Sequence, residues 1–290
     1  MARSHKARGK SGRQKRHRPT IWKVSHPLWA TFKKVLPPEP SPTRRGRRVV
    51  SFRKVLDGIL YRLRTGCQWK AIPAAFGSGS TCHRRFQEWQ RLGVFEKAWQ
   101  HLLQQYDQQK GIGWNWQILD SAIVPAPLGG EKTGKNPTDR AKSGTKRHVL
   151  TDRRGVPLAV TLSGANIPDY QCAEATLLGL VIRRSWRNAA GTLVLRHFCA
   201  DKGYDYDAVH RLAKRLGYRL HIGHRRHRGE AEPPPPPKTR RHPARRWVIE
   251  RTNSWHNRFR ALKIRWEKKP ENYLALVHFA CAIITFRFLG

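Results

Sequence analysis

The spacing of apolar residues changes at Gly111, and that change limits this chain to a helical segment followed by a sheet. Before it, Phe52, Val55, Leu56, Ile59, Leu60 and Leu63 recur at intervals of three and four, the pattern of an amphipathic helix that Gly66 is placed to cap. A short segment around Trp69 and Ile72 stops at Pro73. Ser78 or Ser80 then offers an N-cap for a helix reaching Leu92 and ended by Gly93. That helix buries Cys82, Phe86 and Trp89 and exposes His83, Arg84, Arg85, Gln87, Gln90 and Arg91. A further helix over residues 94–106 repeats the pattern. Helix, turn and a second helix rich in Arg and Gln is the layout of a helix-turn-helix DNA reader. A helical bundle with a solvated basic face fits the same pattern.

Beyond Gly111, residues 114–124 are β-branched and aromatic, and residues 146–152 and 156–162 flank the hairpin signal Arg153-Arg154-Gly155. Residues 172–182 read as a helix, 192–200 as a buried strand, 207–216 as a helix and 219–222 as a short strand. Helices at 245–266 and 271–289 close the chain, with Pro270 between them. Strands alternating with helices after an initial hairpin specify an α/β class with a mixed sheet. The expected organisation is a disordered basic arm at 1–20, a helical DNA-binding domain at 21–110 and a catalytic α/β domain at 111–290. A basic, proline-rich loop at 224–244 interrupts the last of these.

Charge narrows the function. The chain carries 58 Lys and Arg against 19 Asp and Glu, a net charge of +39, which points to nucleic acid as partner. Eleven tryptophans argue against a mostly disordered basic tail. The five cysteines are widely spaced and form no Cys-x-x-Cys pair, so neither a disulfide framework nor a zinc finger is indicated and a reducing cytoplasm is expected. No apolar stretch is read as reaching the roughly 20 residues needed to span a bilayer. The longest, 273–289, is broken by His278 and Arg287 and reads as a buried terminal helix.

Against this background three acids stand out. Asp120 ends the apolar run from Trp116, Asp201 ends a second from Leu193, and Glu250 lies between Ile249 and Arg251 in a helical pattern. A protein that binds polyanions should place carboxylates sparingly near its ligand. Three that could converge are best explained by a bound divalent cation, and oxygen donors without His or Cys suit Mg²⁺, with Mn²⁺ as substitute. If the strands ending at Asp120 and Asp201 are neighbours, both carboxylates emerge on one sheet edge. Each acid alone has a plainer reading: a strand-end Asp forms turns, and Glu250 can pair with Arg246 four residues earlier.

The local wording then carries a family resemblance. Asp201-Lys202-Gly203-Tyr204-Asp205 resembles the "D-x-G-Y-D" stretch of DDE transposases of the insertion-sequence family numbered five. The run from Arg246 to Trp255 resembles that family's "RW-V-ER-T-x-x-W" block, and Ile118-Leu119-Asp120-Ser121 its first-acid strand. Thr145-Lys146-Arg147-His148 with Asp152-Arg153-Arg154-Gly155-Val156-Pro157-Leu158 is similar to its hairpin motif. Leu63 to Trp69, with Ile72-Pro73, is similar to its "RTGCPW-x-x-LP" signature.

The resemblance implies a ribonuclease H-like catalytic domain with Asp120, Asp201 and Glu250 as catalytic metal ligands. It implies hydrolysis at the ends of a mobile element and strand transfer by the freed 3′-hydroxyl. Double-stranded DNA, as terminal inverted repeats and target, is the implied partner, with a homodimer on DNA and a bacterial, nucleoid-associated location. A catalytically inactive, transposase-derived DNA-binding protein is the alternative. Related families carry a "Y-x2-R-x3-E-x6-K" block; Arg246 matches its arginine, Pro243 and Asn257 do not match its tyrosine and lysine, and Arg258 follows one place late. Candidate DNA contacts are Arg44, Arg45, Arg47, Arg48, His83, Arg84, Arg85, Gln87, Arg91, Lys142, Lys146, Arg147, Lys202, Arg246 and Arg258. Trp255, Phe259 and Trp266 are expected in the core.

Overall fold

A computed structural model describes residues 22–40, 49–182, 191–192, 194–225 and 246–290. The basic arm, Arg44, Arg45, Arg47, Arg48 and nearly all of the proline-rich loop lie outside the described residues.

The first four helices are α1 His26–Val35, α2 Phe52–Thr65, α3 Gly79–Arg91 and α4 Val94–Lys110. Gly66 ends α2 in the left-handed region, at φ 71°, where a side chain would be strained. The Ser78 hydroxyl accepts from the Thr81 N–H and caps α3. A Cβ on Gly79 would stand 1.9 Å from the Trp69 carbonyl oxygen, so only glycine lets α3 start against the preceding turn. The connection from α2 to α3 runs from Gly66 to Ser78 through 3-10 turns at Trp69–Ala71 and Ala74–Phe76. The expected tight turn between reader helices is therefore replaced by a wide, structured connection. Its ring of Trp69 packs on Phe86 at 5.0 Å and cannot be shortened without losing that contact.

The second half contains β1 Trp116–Pro125, β2 Gly134–Lys135, β3 Ser143–Asp152, β4 Pro157–Gly164, α5 Ala173–Leu178, β5 Arg196–Cys199, α6 Asp207–Arg215, β6 Tyr218–His221, α7 Arg246–Asn257 and α8 Pro270–Leu289. β3 is central among β1, β4 and the short β2, all antiparallel to it, while β5 and β6 extend the sheet parallel to β1. The order β4-β3-β1-β5-β6, antiparallel on one side and parallel on the other, is a ribonuclease H-like mixed sheet. Asp152 builds the β3–β4 turn, accepting from the Gly113, Arg154 and Val156 N–H groups at 2.8–2.9 Å. The Asp of the hairpin motif is thus structural.

Strand alternation sorts the sheet into two faces. Ile118, Val149, Leu158 and Cys199 join a cluster shared with all four N-terminal helices, α7 and α8. Leu119, Leu150, Ala159 and Phe198 face the other way, onto α5 and α6. Most of the helical segment's core is continuous with that of the sheet, while Ile72, Phe76 and Cys82 form a small cluster of their own. Phe279 of α8 packs edge-on against Phe32 of α1 at 5.2 Å and tilted against Phe95 of α4 at 5.5 Å, contacts worth ~0.5–1.5 kcal/mol each beyond area burial. Contrary to the sequence expectation, α8 is long and apolar enough to cross a membrane. It is the central helix of this fold and two-thirds buried within it.

Several boundaries differ from the sequence pattern, three of them for reasons of packing or pairing. α5 stops at Leu178, because the Val181 N–H bonds the Leu158 carbonyl and draws the chain to the β4 edge. β5 begins at Arg196, not at residue 192. α7 ends at Asn257 instead of running to 266, because Phe259, Ala261 and Leu262 turn into the core.

Candidate active site

Asp120 lies in the middle of β1, not at its end, opposite Val149 of β3. Its other neighbour, β5, pairs only with the first residues of the strand, ending at Ile118 opposite Cys199. Continuing that register sets Asp201 level with Asp120, at the point where the two strands part. Asp120 shares the parity of Ile118, and Asp201 that of Cys199, so both start from the face covered by α7. Asp201 also caps the turn Lys202–Tyr204, its Oδ1 accepting from the Gly203 N–H at 2.8 Å.

α7 crosses directly above. Asn253 donates from Nδ2 to Asp120 Oδ2 at 3.1 Å, and its own Oδ1 is buried without a partner. Glu250 precedes Asn253 by three residues and follows Arg246 by four, which places all three on one side of the helix. In this structure the Glu250 carboxylate turns to Arg246 at 3.6 Å and is 57% exposed. Among the described residues no group of three or more His, Cys, Asp or Glu is close enough to hold a metal ion. Two of the three acids are brought together, and the third stands above them on a flexible side chain.

The Asp120 carboxyl is pushed up to about 6, chiefly by burial, with the charge of Asp201 adding and the Ser121 N–H and Arg246 opposing. A carboxylate near another, met only by the neutral Asn253 amide and Ser121 N–H and beside an orphaned amide oxygen, fits a hard divalent cation. The sign has a consequence for stability. A carboxyl whose folded value is raised makes the fold less stable as pH climbs from about 4 to about 6, and the loss persists above. Asp120→Asn is therefore expected to stabilise the metal-free protein at pH 7 by roughly 1–3 kcal/mol, with little gain at pH 4. Urea midpoints of both proteins at the two pH values check this, and equal midpoints at pH 7 would refute it.

Asp169 was missed by the sequence reading. It accepts from the Ser121 hydroxyl at 2.9 Å, pairs with Lys146 at 2.9 Å, and its charge reaches both Asp120 and the buried Tyr204. Asn253 was missed as well, although it lies inside the quoted glutamate motif. Neither residue has a local pattern that separates it from an ordinary turn or helix residue.

The candidate DNA contacts divide sharply. Lys142, Lys202, Arg246 and Arg258 are exposed, as are Arg84 and Arg91 on α3. Arg85 is committed within the fold, ion-paired to Glu88 at 2.6 Å and lying over the Phe52 ring. His83 stacks on Trp69 at 4.8 Å, and Gln87 is half-buried. Lys146 and Arg147 require correction as phosphate contacts. Lys146 is buried, bonding Asp169 and the Ile167 carbonyl, and Arg147 is fully buried against the Tyr273 hydroxyl. Both lie on β3, the interior strand, whose two faces are covered. His148, their neighbour, is likewise buried, against Ser163.

The site is thus a mixed sheet with Asp120 and Asp201 at the split between β1 and β5 and Glu250 on the helix above it. Residues 116–285 match the family described as "Transposase DDE domain", and residues 24–99 match "Putative transposase of IS4/5 family". The chain belongs to the DDE transposases of the IS4/5 family.

It is 36% identical over 167 residues to the putative transposase for insertion sequence element IS402 of Burkholderia cepacia, spanning 58% of this chain and 72% of that one. It is also 36% identical over 139 residues to the IS402 uncharacterized 16.2 kDa protein of the same organism, 45% of this chain and 94% of that one. Among solved structures, the catalytic domain of Mos1 mariner transposase is 12% identical, covering 70% of this chain and 94% of that chain with a TM-score of 0.27. The Mos1 strand transfer complex is 14% identical, with 62% of this chain and 60% of that chain covered and a TM-score of 0.25. Both likenesses are too loose to bear on the site.

Proposed function

We propose that this protein binds the terminal inverted repeats of an insertion sequence, hydrolyses phosphodiester bonds at its ends and joins the freed 3′-hydroxyl to target DNA. The supporting observation is the level placement of Asp120 and Asp201 beneath the face of α7 that carries Arg246, Glu250 and Asn253. Asp120, Asp201 and Glu250 are the residues that would hold Mg²⁺, or Mn²⁺ in its place, Glu250 then giving up its pairing with Arg246. A divalent cation held there would neutralise charge at the scissile phosphate and acidify the nucleophile.

The remaining work falls to the chain itself. Asn253 holds Asp120 in one orientation, and Ser121, Lys146 and Asp169 fix the opposite side of the strand. Arg246, released by Glu250, is free to meet a phosphate oxygen. Arg84 and Arg91 on α3, with Lys142, Lys202 and Arg258, contact the DNA backbone. Two copies act together, one for each end.

The test is cleavage of a labelled duplex carrying the element's terminal repeat. Nicking is expected with Mg²⁺ or Mn²⁺ and none with EDTA. Cleavage that continues in EDTA would rule out the metal-ligand role, and tight binding without cleavage in either metal would reassign the protein to a regulatory DNA-binding role.

A further inference from the structure

Apolar groups in water and buried polar groups without partners are the departures from ordinary burial that call for explanation. Trp266, expected in the core, is 46% exposed, but a single open ring is common on protein surfaces. Tyr204 is the harder case. Its side chain is fully buried, and its hydroxyl has no hydrogen-bond partner. The other buried tyrosines among the described residues all use theirs: Tyr106 accepts from Arg154, Tyr218 donates to Gln117, and Tyr273 donates to the Leu262 carbonyl. An orphaned hydroxyl costs stability that phenylalanine would not, so apolar packing alone does not account for a tyrosine here.

The surroundings indicate what the hydroxyl is kept for. Tyr204 closes the turn that Asp201 caps, its N–H bonding the Asp201 carbonyl at 3.1 Å. Its ring packs with Leu119, Phe198 and Ala200 on the sheet face of α5 and α6, opposite the face that α7 crosses. Leu119 and Ala200 immediately precede Asp120 and Asp201, and the strands part just beyond Ile118 and Cys199. The phenol therefore approaches the acids through that gap, from the side opposite Asn253. The rings of Tyr170 and Tyr206 stack at 3.9 Å and hold the turn bearing Asp169 against the one bearing Asp201. Burial first, then the charges of Asp169, Asp120 and Asp201, push the Tyr204 hydroxyl well above the usual phenol range, so it stays a donor. Asp169 is already engaged by Ser121 and Lys146, and Asp201 by the Gly203 N–H. Asp120, met by the Asn253 amide and the Ser121 N–H, is the acid with an acceptor to spare.

We propose that Tyr204 is a positioning residue for the cation site, its hydroxyl donating to Asp120 from the side opposite Asn253 when the acids turn onto a divalent cation. The proposal rests on the metal-ligand role given above to Asp120 and Asp201 and deepens it. Carboxylates that hold a metal are themselves held by outer hydrogen bonds, and two neutral donors on opposite sides would fix Asp120 in one orientation without cancelling its charge. The hydroxyl acts through Asp120, so its effect falls on cation affinity.

The experiment titrates the full, metal-free chain with Mn²⁺, reading unbound Mn²⁺ by electron paramagnetic resonance, and measures the urea midpoint without metal. Tyr204→Phe is expected to bind Mn²⁺ about 10- to 100-fold more weakly than wild type, the usual effect of losing an outer partner of a metal ligand. Its metal-free urea midpoint should be equal or higher, because the orphaned hydroxyl is gone. Tyr218→Phe removes a bonded hydroxyl from the same cluster and should do the reverse, lowering the midpoint and leaving Mn²⁺ affinity within about twofold. A Tyr204→Phe protein that binds Mn²⁺ as wild type does, or that loses affinity together with a lowered midpoint, would overturn the proposal. Asp201→Asn separates this failure from that of the metal-ligand role. If Asp201→Asn abolishes Mn²⁺ binding and Tyr204→Phe leaves it unchanged, that role stands and only the proposal falls. If wild type binds no more Mn²⁺ than Asp201→Asn, both fall.

Discussion

Asp201→Asn is expected to lower cleavage of the terminal-repeat duplex at least ~10³-fold in Mg²⁺ while leaving DNA affinity equal or higher. Metal-assisted stabilisation of a phosphoryl transition state is worth several kcal/mol, and each ~1.4 kcal/mol is tenfold in rate. Asparagine keeps the shape and retains an oxygen to accept from the Gly203 N–H, so the cap of the following turn survives. It removes one of the two charges that meet where β1 and β5 part. The loss should therefore appear in the chemical step and not in folding or binding. Electrophoretic cleavage assays, with fluorescence anisotropy for affinity and a thermal melt for integrity, separate these. A variant that cleaves within tenfold of wild type would remove Asp201 from the metal site. Loss of binding and cleavage together, with a lowered melting temperature, would make it a structural cap.

Arg265→Ala is expected to cost ~3–5 kcal/mol of stability, a large fraction of the ~5–15 kcal/mol that holds a typical protein folded. Arg265 is 1% exposed. Its guanidinium donates to the carbonyls of Glu131, Lys132, Glu267 and Lys268 and to the Thr145 hydroxyl, at 2.7–3.2 Å. These acceptors belong to the loop after β1, to β3 and to the approach to α8. Alanine would strand several of them in a site that water reaches poorly, and each buried unsatisfied group costs ~1–3 kcal/mol. Arg265→Lys should recover only part, because an ammonium has three donors and no planar fork. Urea unfolding at neutral pH measures both variants, and a loss below ~1 kcal/mol for the alanine variant would show that the network is dispensable.

Much of the fold was legible because its signals are local. Gly66 and Ser78 mark helix ends through backbone geometry that needs no distant partner. The turn at Arg153-Arg154-Gly155 was readable for the same reason, with Gly155 at φ 89°. The acids Asp120, Asp201 and Glu250 stood out by chemistry against a +39 background. Lys146 and Arg147 were misplaced because two adjacent cations beside a hairpin look solvated, whereas β3 is the middle strand and is buried on both sides. The end of α7 was overrun because helical spacing continues past Asn257. What stops the helix is the docking of Phe259 and Leu262, which involves α8 and α2.

By itself, then, the sequence determined the order and kind of most elements and the α/β class, and it singled out three acids. Caps, periodicity and turn residues act within a few positions, where chain connectivity brings the partners together. Only the tertiary structure decided which charges are buried and which carboxylates meet. Asn253 reaches Asp120 across 133 positions, and Arg62 reaches Glu267 across 205. Such pairs depend on strand register and on where a helix lands. Both are set by burial of the whole core, and no local pattern records them.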